Sequence, residues 1–536
     1  MSRKTTKRRL FLLLALVLIL VSANQSAGTI AQAENSTAFT PVQFPLPEPI
    51  TLNVFSWFWG DFNPDNALVK EFERLTNIKL VYNAPADGYE EKESLLLTSD
   101  SKDWPDIMLI GVSGGRSVTE ISRLYGQAGK FVNISKHADQ LPNLNAYYQT
   151  YPESKTLFQD ENGDSYIFPY IYPYRTIPTG FFINSKAFDA NNIAYPTNTE
   201  ELYQAAKKLK AAYPNSYPVT SYTVAETLTV WSRVFGTSPS ISYFSDKDAY
   251  VFGPLMPEYR EMLEYLNKLY AEELYDPQFP QYVFAGDDWR QTLASQKSFI
   301  TESYVWEMQY ENPNSVNSIA KNMNMSDKVD FKYIKPLMHN GKTSKYWGLS
   351  TVSPWYGMVI KAESPYVNEI LSLLDWELSD AFFNLMGYGI EGVTYEMVNG
   401  EPKFKDNITT TDEEGKTPLA DFMSFYAGVN IAEIYPDPLG WKANLERFTG
   451  YTMDEMAEFA TWPDPWIIAF DQDTKDSQSL VMTPVTTIVE EMSYKFISGE
   501  IGFDQYDAFI EQIKGLGIDS VIDQYNAYYS NIIKQQ

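Results

Sequence analysis

Between Val367 and Leu378 the apolar positions Val367, Ile370, Leu371, Leu374 and Leu378 fall at i, i+3, i+4, i+7 and i+11. That spacing places them on one face and predicts an amphipathic helix. Gly387, Gly389 and Gly392 follow in quick succession, too dense for a helix interior, so the backbone must turn there. From the residues alone, Tyr388 and Glu391 in this turn can face a ligand or a hinge, while a plain helix end with a solvated Glu391 is the simpler outcome. A second stripe, Tyr259, Met262, Leu263, Leu266, Leu269, Tyr270 and Leu274, predicts a core-packed helix within 257–279. A third, Leu68, Val69, Phe72 and Leu75, predicts a helix with Asn63 as its cap and Pro64 at its first position. Thr197 and Glu200 have capping-box spacing ahead of Leu202, Tyr203, Ala206 and Leu209.

Strand patterns surround these helices. Residues 50–59 and 78–82 are apolar runs on either side of the 68–75 helix, and strand–helix–strand order predicts a parallel α/β sheet. A third run, 104–110, ends in the glycine-rich 111–115 turn, which lacks the residues of a phosphate loop or a dinucleotide fingerprint. Ligands of open α/β sheets meet the carboxyl ends of strands, which makes Trp57, Trp59, Asp61 and Ser113 candidate contacts. Alternation puts Trp57 and Trp59 on one face, so both are core or both are cleft. Asn162-Gly163 predicts a hairpin turn before an aromatic strand over 168–174, and strand resumes over 179–186. On pattern alone, tyrosines in such a strand are half-buried sheet residues. Residues 396–480 read as irregular, with a hairpin signal at Asn399-Gly400 and aromatics at Trp441, Trp462 and Trp466; from Val481 the chain turns helical.

Composition narrows the class. A chain of 536 residues, 44% hydrophobic and 21% charged, carries two or more globular cores. Arg3, Lys4, Lys7, Arg8 and Arg9 precede an apolar run, Leu10 to Val21, that is too short to span a membrane. Ala31-Gln32-Ala33 then reads as a cleavage site, so we expect a secretory signal over 1–33, a mature chain from Glu34, and a Ser/Thr/Pro-rich tether over 34–49. The protein is expected outside the cell, associated with its surface. Net charge is −27, and residues 1–33 hold no acid, so the remainder is more acidic still. Such a surface repels nucleic acid and anionic lipid and suits a monomer. With no cysteine there is no disulfide, no thiolate chemistry and no lipidated cysteine. Only His137 and His339 are present, too few to suggest a histidine zinc site or a Ser-His-Asp centre. Aromatics reach 15%, with 38 Tyr and 12 Trp; flat rings suit cores and also the C–H faces of sugars.

The 367–395 stretch, VNEILSLLDWELSDAFFNLMGYGIEGVTY, resembles a signature of the family 1 extracellular solute-binding proteins. It is more closely similar to the large oligosaccharide-binding lipoproteins of Gram-positive ABC importers, in which a Leu-Leu-Asp-aromatic helix leads into a Gly-Tyr-Gly-Ile-Glu-Gly segment. PEYREMLEYLNKLYAEELYDPQF at 257–279 is the strongest match, and SFITESYVWEMQY, YWGLSTVSPWYGMVI, residues 496–500 and residues 510–527 also resemble the family. The likeness runs from Ile50 to Ile533 and is weakest over 400–480. It implies an α/β, type II periplasmic-binding-protein-like fold. Lobe 1 would be 50–172 plus 355–388, and lobe 2 would be 173–354 plus 389–536, with hinge crossings between them and a ligand cleft.

The resemblance also implies a function: binding of an oligosaccharide and its delivery to the transmembrane subunits of an ABC permease, with no catalysis and no cofactor. Tyr170, Tyr172, Tyr174 and Arg175 would line the cleft, with Glu302, Trp306, Trp347, Trp355, Tyr356 and Glu391. Trp306 is the foremost ligand contact. Some relatives carry an acidic calcium loop, but 213–218 here has too few carboxylates for a hard cation, so no metal is expected. The chain departs from the lipoprotein pattern in having no cysteine to lipidate, which leaves free secretion or an uncleaved signal. Two alternatives stand beside the receptor. One is a secreted glycoside hydrolase or lyase, pairing Glu391 with Asp61 or Glu302. The other is a surface glycan-adhesion module. The acidic charge argues mildly against a polyuronate ligand, although Arg175 could pair one carboxylate.

Overall fold

In the first strand, β1 (Ile50–Phe55), exposed Thr51 and Asn53 alternate with buried Leu52 and Val54, as a half-buried strand requires. The computed structural model describes residues 39–56, 64–83, 88–111, 117–160, 162–171, 179–283, 286–309, 314–347, 352–405, 408, 448–461, 470 and 472–534. The helix after β1 runs Ala67–Thr76 and is capped by Asn66, whose side chain accepts from the Leu68 N–H at 2.8 Å. Asn63, expected as the cap, lies outside the described residues. β2 (Ile78–Asn83) and the fully buried β3 (Ile107–Ile110) flank β1 in parallel, the arrangement that strand–helix–strand order predicted. β4 is Phe168–Ile171.

From Thr179 a second sheet begins. β5 (Thr179–Asn184), β6 (Val219–Thr220), β9 (Ile300–Tyr304) and β10 (Phe331–Ile334) stand in the order β10-β5-β9-β6. Hairpins β7–β8 (Ile241–Phe244, Ala249–Phe252) and β11–β12 (Met338–His339, Lys342–Thr343) lie outside that sheet. β13 (Tyr346–Trp347) pairs with the late β17 (Ala460–Thr461). Its Tyr346 hydroxyl donates to the Ile334 carbonyl and accepts from the Phe181 N–H, pinning it to the second sheet. A few residues later β14 (Val352–Ile360) is part of the first sheet, whose order is β2-β1-β3-β14-β4. The chain therefore passes between sheets after Ile171 and again after Trp347.

Each sheet has its own apolar core. Phe55, Met108, Ile110, Ile121, Ile167 and Val359 belong to the first, and Phe181, Leu202, Trp231, Leu263, Leu266 and Ile300 to the second. The Pro257–Ala271 helix buries Tyr259, Met262, Leu263, Leu266 and Leu269, the stripe read from sequence. The Thr199–Ala212 helix is capped one residue later than expected. Asn198 accepts from the Glu201 N–H, and Thr197 donates its N–H and hydroxyl to the Glu201 carboxylate. The 367–378 pattern forms the helix Val367–Trp376 and then breaks. Ser379 caps a second helix, Asp380–Tyr388, which ends at Gly389 with φ +86°. Hairpin β15–β16 (Tyr395–Val398, Glu401–Phe404) turns at Asn399 and Gly400, both at positive φ, as the Asn-Gly signal predicted. Late in the chain the Gln472–Ser498 helix packs on Pro257–Ala271. Among the described residues no helix is long and apolar enough to cross a membrane.

Candidate ligand site

Each of the two sheets carries an aromatic pair, Tyr170 with Tyr356 and Tyr304 with Trp306. On the first, β14 loses register against β4: Val352 pairs with Ile171, but Gly357 already pairs with Pro169. Trp355 and Tyr356 sit in this irregular stretch, where a bulge re-aims side chains that regular alternation would fix. Trp355 is 38% exposed. Tyr356 lies 6.2 Å from the buried Tyr170 of β4, ring centre to ring centre. Its ring rests on Gly111, at the carboxyl end of β3; a Cβ there would stand 3.0 Å from Tyr356 Cε1, so glycine admits the close approach.

On the second sheet, β9 ends at Tyr304, and the short turn Val305–Glu307 carries Trp306. The two rings stack at 4.4 Å and 26°. Arg290 holds this turn from behind, donating Nε and Nη2 to the two Glu307 oxygens at 2.7 and 3.1 Å. A buried fork-to-fork pair of this kind fixes geometry as well as energy. Burial raises the Tyr304 hydroxyl's pKa, with the charges of Glu226 and Glu302 adding; Tyr356, from the opposite sheet, adds as well. Tyr304 and Tyr356 are thus within electrostatic range of each other.

Beneath each aromatic group lies a buried carboxyl. Glu302 on β9 is 8% exposed, and burial pushes it up to about 8, with Arg233 opposing and Glu226 adding. Both partners come from the Val224–Phe235 helix, where Glu226, Val230 and Arg233 share one face at i, i+4 and i+7. Glu302, Arg233, Val230 and Tyr346 line a cavity of about 10 Å³, about one water in size. On the first lobe, Glu93 is wholly buried; its Oε2 accepts from the Gly111 N–H at 3.2 Å, and its Oε1 has no partner among the described residues. Burial pushes it up to about 8, the Gly111 N–H opposing and Glu90 adding.

The structure thus links Tyr170 and Tyr356 by ring contact, and Tyr356 and Glu302 through Tyr304, which stacks on Trp306; Trp355 adjoins Tyr356 in the irregular stretch of β14. Glu391 stands apart. It is exposed on the turn after the Asp380–Tyr388 helix, and its neighbour is Tyr395. Trp347 is placed in β13 by its backbone alone. Trp57, Trp59, Asp61, Ser113, Tyr172, Tyr174, Arg175, Trp441, Trp462 and Trp466 lie outside the described residues. Sequence reading passed over Glu93, Glu226 and Arg233. The signal for the last two was two charges on the face of a helix otherwise rich in Val, Leu and Trp. Among the described residues no three His, Asp or Glu side chains come together as a metal site.

A model of the bacterial extracellular solute-binding protein family matches residues 60–381. The polygalacturonan/rhamnogalacturonan-binding protein YtcQ of Bacillus subtilis (strain 168) is 21% identical over 489 residues, 86% of this chain and 88% of its own. Among solved structures, alginate-binding protein AlgQ2 without calcium ion gives a TM-score of 0.65 at 20% identity, covering 92% of this chain and 100% of that one. The S. pneumoniae ABC-transporter substrate binding protein FusA in complex with kestose gives 0.65 at 14% identity, covering 91% and 100%. Likeness at these identities speaks for the fold, which is the two-lobed, type II periplasmic-binding-protein-like α/β architecture implied by the sequence.

Proposed function

Because this chain belongs to the bacterial extracellular solute-binding proteins, we propose that it is the sugar receptor of an ABC importer. It binds an oligosaccharide between its lobes and passes it intact to a membrane permease. The observation that carries this reading is an aromatic pair on each sheet, Tyr170 with Tyr356 on one and Tyr304 with Trp306 on the other, with Tyr304 and Tyr356 in electrostatic range of each other. Rings of this kind stack on the C–H faces of sugars, and carboxyl, amide and guanidinium groups bond the hydroxyls, directly or through water. The names of similar proteins support a sugar: YtcQ is described as binding polygalacturonan and rhamnogalacturonan, and FusA was solved with kestose. Closure of the lobes on the sugar is driven by its higher affinity for the closed state. The same reading takes 1–33 as a cleaved signal and the protein as an unlipidated surface monomer. A hydrolase would need two carboxyls flanking one glycosidic bond; of the pairs the sequence offered, Glu391 stands apart from Glu302, and Asp61 lies outside the described residues.

The test is thermal unfolding of the purified protein against a panel of neutral and acidic oligosaccharides, followed by chromatography of each sugar. A ligand bound by the native state alone raises the melting temperature. The receptor reading expects a shift with specific sugars recovered intact. New reducing ends would identify a hydrolase, and no shift with any sugar would overturn the reading.

A further inference from the structure

Arg233 poses a question that sugar stacking does not answer. Its guanidinium is half-buried among Phe181, Val230 and Val234, yet its side chain makes no hydrogen bond and no ion pair among the described residues. Burial lowers its pKa while Glu302, Glu226 and Tyr304 oppose that fall, so all three stand close by without closing on it. A guanidinium presents five N–H donors in a rigid fork and stays charged. Leaving such donors unmatched in a half-buried site is costly. The carboxyl of Glu302, a residue more than nine-tenths buried beside it, is equally without a hydrogen-bond partner among the described residues; only its backbone carbonyl accepts, from the Thr301 hydroxyl.

We infer that Arg233, assisted by Glu302, reads a carboxylate on the bound sugar, so that the ligand is an acidic oligosaccharide of the uronate class. The inference rests on the sugar-receptor reading above and adds the ligand's charge. The fork of Arg233 matches the two oxygens of a carboxylate. Tyr304, with Trp306 stacked on it, places a sugar ring beside that fork. Glu302, held neutral by burial at ordinary pH, donates a hydrogen bond to the same anion where an ionised carboxylate would repel it. Glu226, raised by burial with Arg233 opposing, is the second carboxyl within electrostatic reach of that guanidinium and forms no ion pair with it among the described residues.

The arrangement has a pH signature. The ionisable groups around Glu302 are Glu226 and Arg233 on the Val224–Phe235 helix, Tyr222 before it, Tyr304 on its own strand, Tyr333 on β10 and Tyr346 on β13. Lys345 lines the same cavity. The tyrosines all stay neutral below pH 10, since burial raises each; burial also raises Glu226, so between pH 7 and 9 the change belongs to the Glu302 and Glu226 carboxyls, and Glu302→Gln separates the two. An anion beside Glu302 favours its protonated form. Affinity for an acidic sugar therefore stays level up to about pH 7 and falls as Glu302 ionises, while affinity for a neutral sugar does not change with it.

The experiment is titration calorimetry with trisaccharides of galacturonate, glucuronate, mannuronate and guluronate, each against its methyl ester and its neutral hexose counterpart. We expect at least one acid to bind about 10- to 100-fold tighter than its uncharged partners, the range of a charge-assisted bond. Arg233→Gln should remove that margin and Arg233→Lys should restore part of it, with thermal unfolding of the free variants as the folding control. Glu302→Gln should flatten the pH 7–9 slope for the acid. Neutral sugars binding as well as the acids would overturn the inference and leave the receptor standing. A margin that survives in Arg233→Gln assigns the carboxylate to another cation and overturns the role of Arg233. Binding of no sugar in either series would overturn the receptor reading itself.

Discussion

At the scale of single residues, the site depends on side chains whose roles the sequence announces unequally. Trp306 and Tyr356 could be singled out because an exposed-strand aromatic in a sugar-binding family is a stacking candidate. Arg233 could not, because a helix reading Val-Trp-Ser-Arg-Val-Phe looks like ordinary core with one snorkelling charge. Its significance comes from Glu302, on a distant strand, and only the folded chain joins them. Glu93 illustrates the same limit, since its burial depends on Tyr356 and Gly111 arriving from elsewhere. Its raised pKa has a consequence for stability. The folded carboxyl holds its proton up to about pH 8, whereas the unfolded chain releases it near 4.5, so its ionisation is harder in the folded protein and stability declines as pH rises from about 4.5 to 8. Glu93→Gln should therefore stabilise the protein at pH 8, by roughly a few kcal/mol at most, and be near neutral at pH 4; urea unfolding at the two pH values measures it. A gain equal at both pH values would contradict the assignment. Gly180 gives a second test. A Cβ there would stand 2.1 Å from Tyr333 Cε2, and Tyr333 is held in the core, so Gly180→Ala should destabilise by about 1–3 kcal/mol.

At the scale of elements, long periodic helices were legible, and their ends were not. The stripe from Tyr259 to Leu269 is buried as its spacing requires. The 367–378 pattern, continuous on paper, divides at Ser379, because that hydroxyl accepts from the Phe382 N–H and starts a second helix. Caps moved for a similar reason, as several Thr, Asn and Ser residues compete for each helix start and the flanking chain decides among them. Asn66→Ala should cost about 1 kcal/mol, the usual value of a lost N-cap bond, read by denaturant unfolding. The irregular stretch of β14 had one signal in the sequence, Pro354, which cannot donate to a ladder, and it was passed over. Register against β4 is a property of two strands, and it is what turns Trp355 and Tyr356 out of the plain alternation.

For the whole molecule, two α/β lobes were legible from strand–helix order and from the family resemblance, and the chain's membership of the solute-binding proteins agrees with both. Composition argued mildly against acidic ligands, and the proposal for Arg233 runs the other way. A net −27 is a property of the whole chain and does not fix the charge beside Arg233, which calorimetry with acidic and neutral sugars tests. The lobes touch at more than the candidate site. Lys475, on the helix that packs against Pro257–Ala271, lies 3.7 Å from Glu120 of the first lobe. Partly exposed pairs of this kind are worth about 0–1 kcal/mol, so this contact can shift between lobe arrangements without holding either. Small-angle scattering of the protein with a stabilising oligosaccharide should show a smaller radius of gyration than the free protein, and an unchanged radius would exclude hinge closure.

The central claim is that one sugar is gripped from both lobes, by Trp306 and Tyr304 on one side and Tyr356 on the other. Titration calorimetry of Trp306→Ala and of Tyr356→Ala, with whichever oligosaccharide stabilises the parent protein, tests it most directly. Each substitution should weaken binding by about 2 kcal/mol or more, roughly 30-fold, as loss of a buried aromatic anchor does, with the free variants unfolding at the parent's temperature. Parent-like affinity in either variant would contradict the account, because a sugar held by one lobe alone has no means of closing the other upon it.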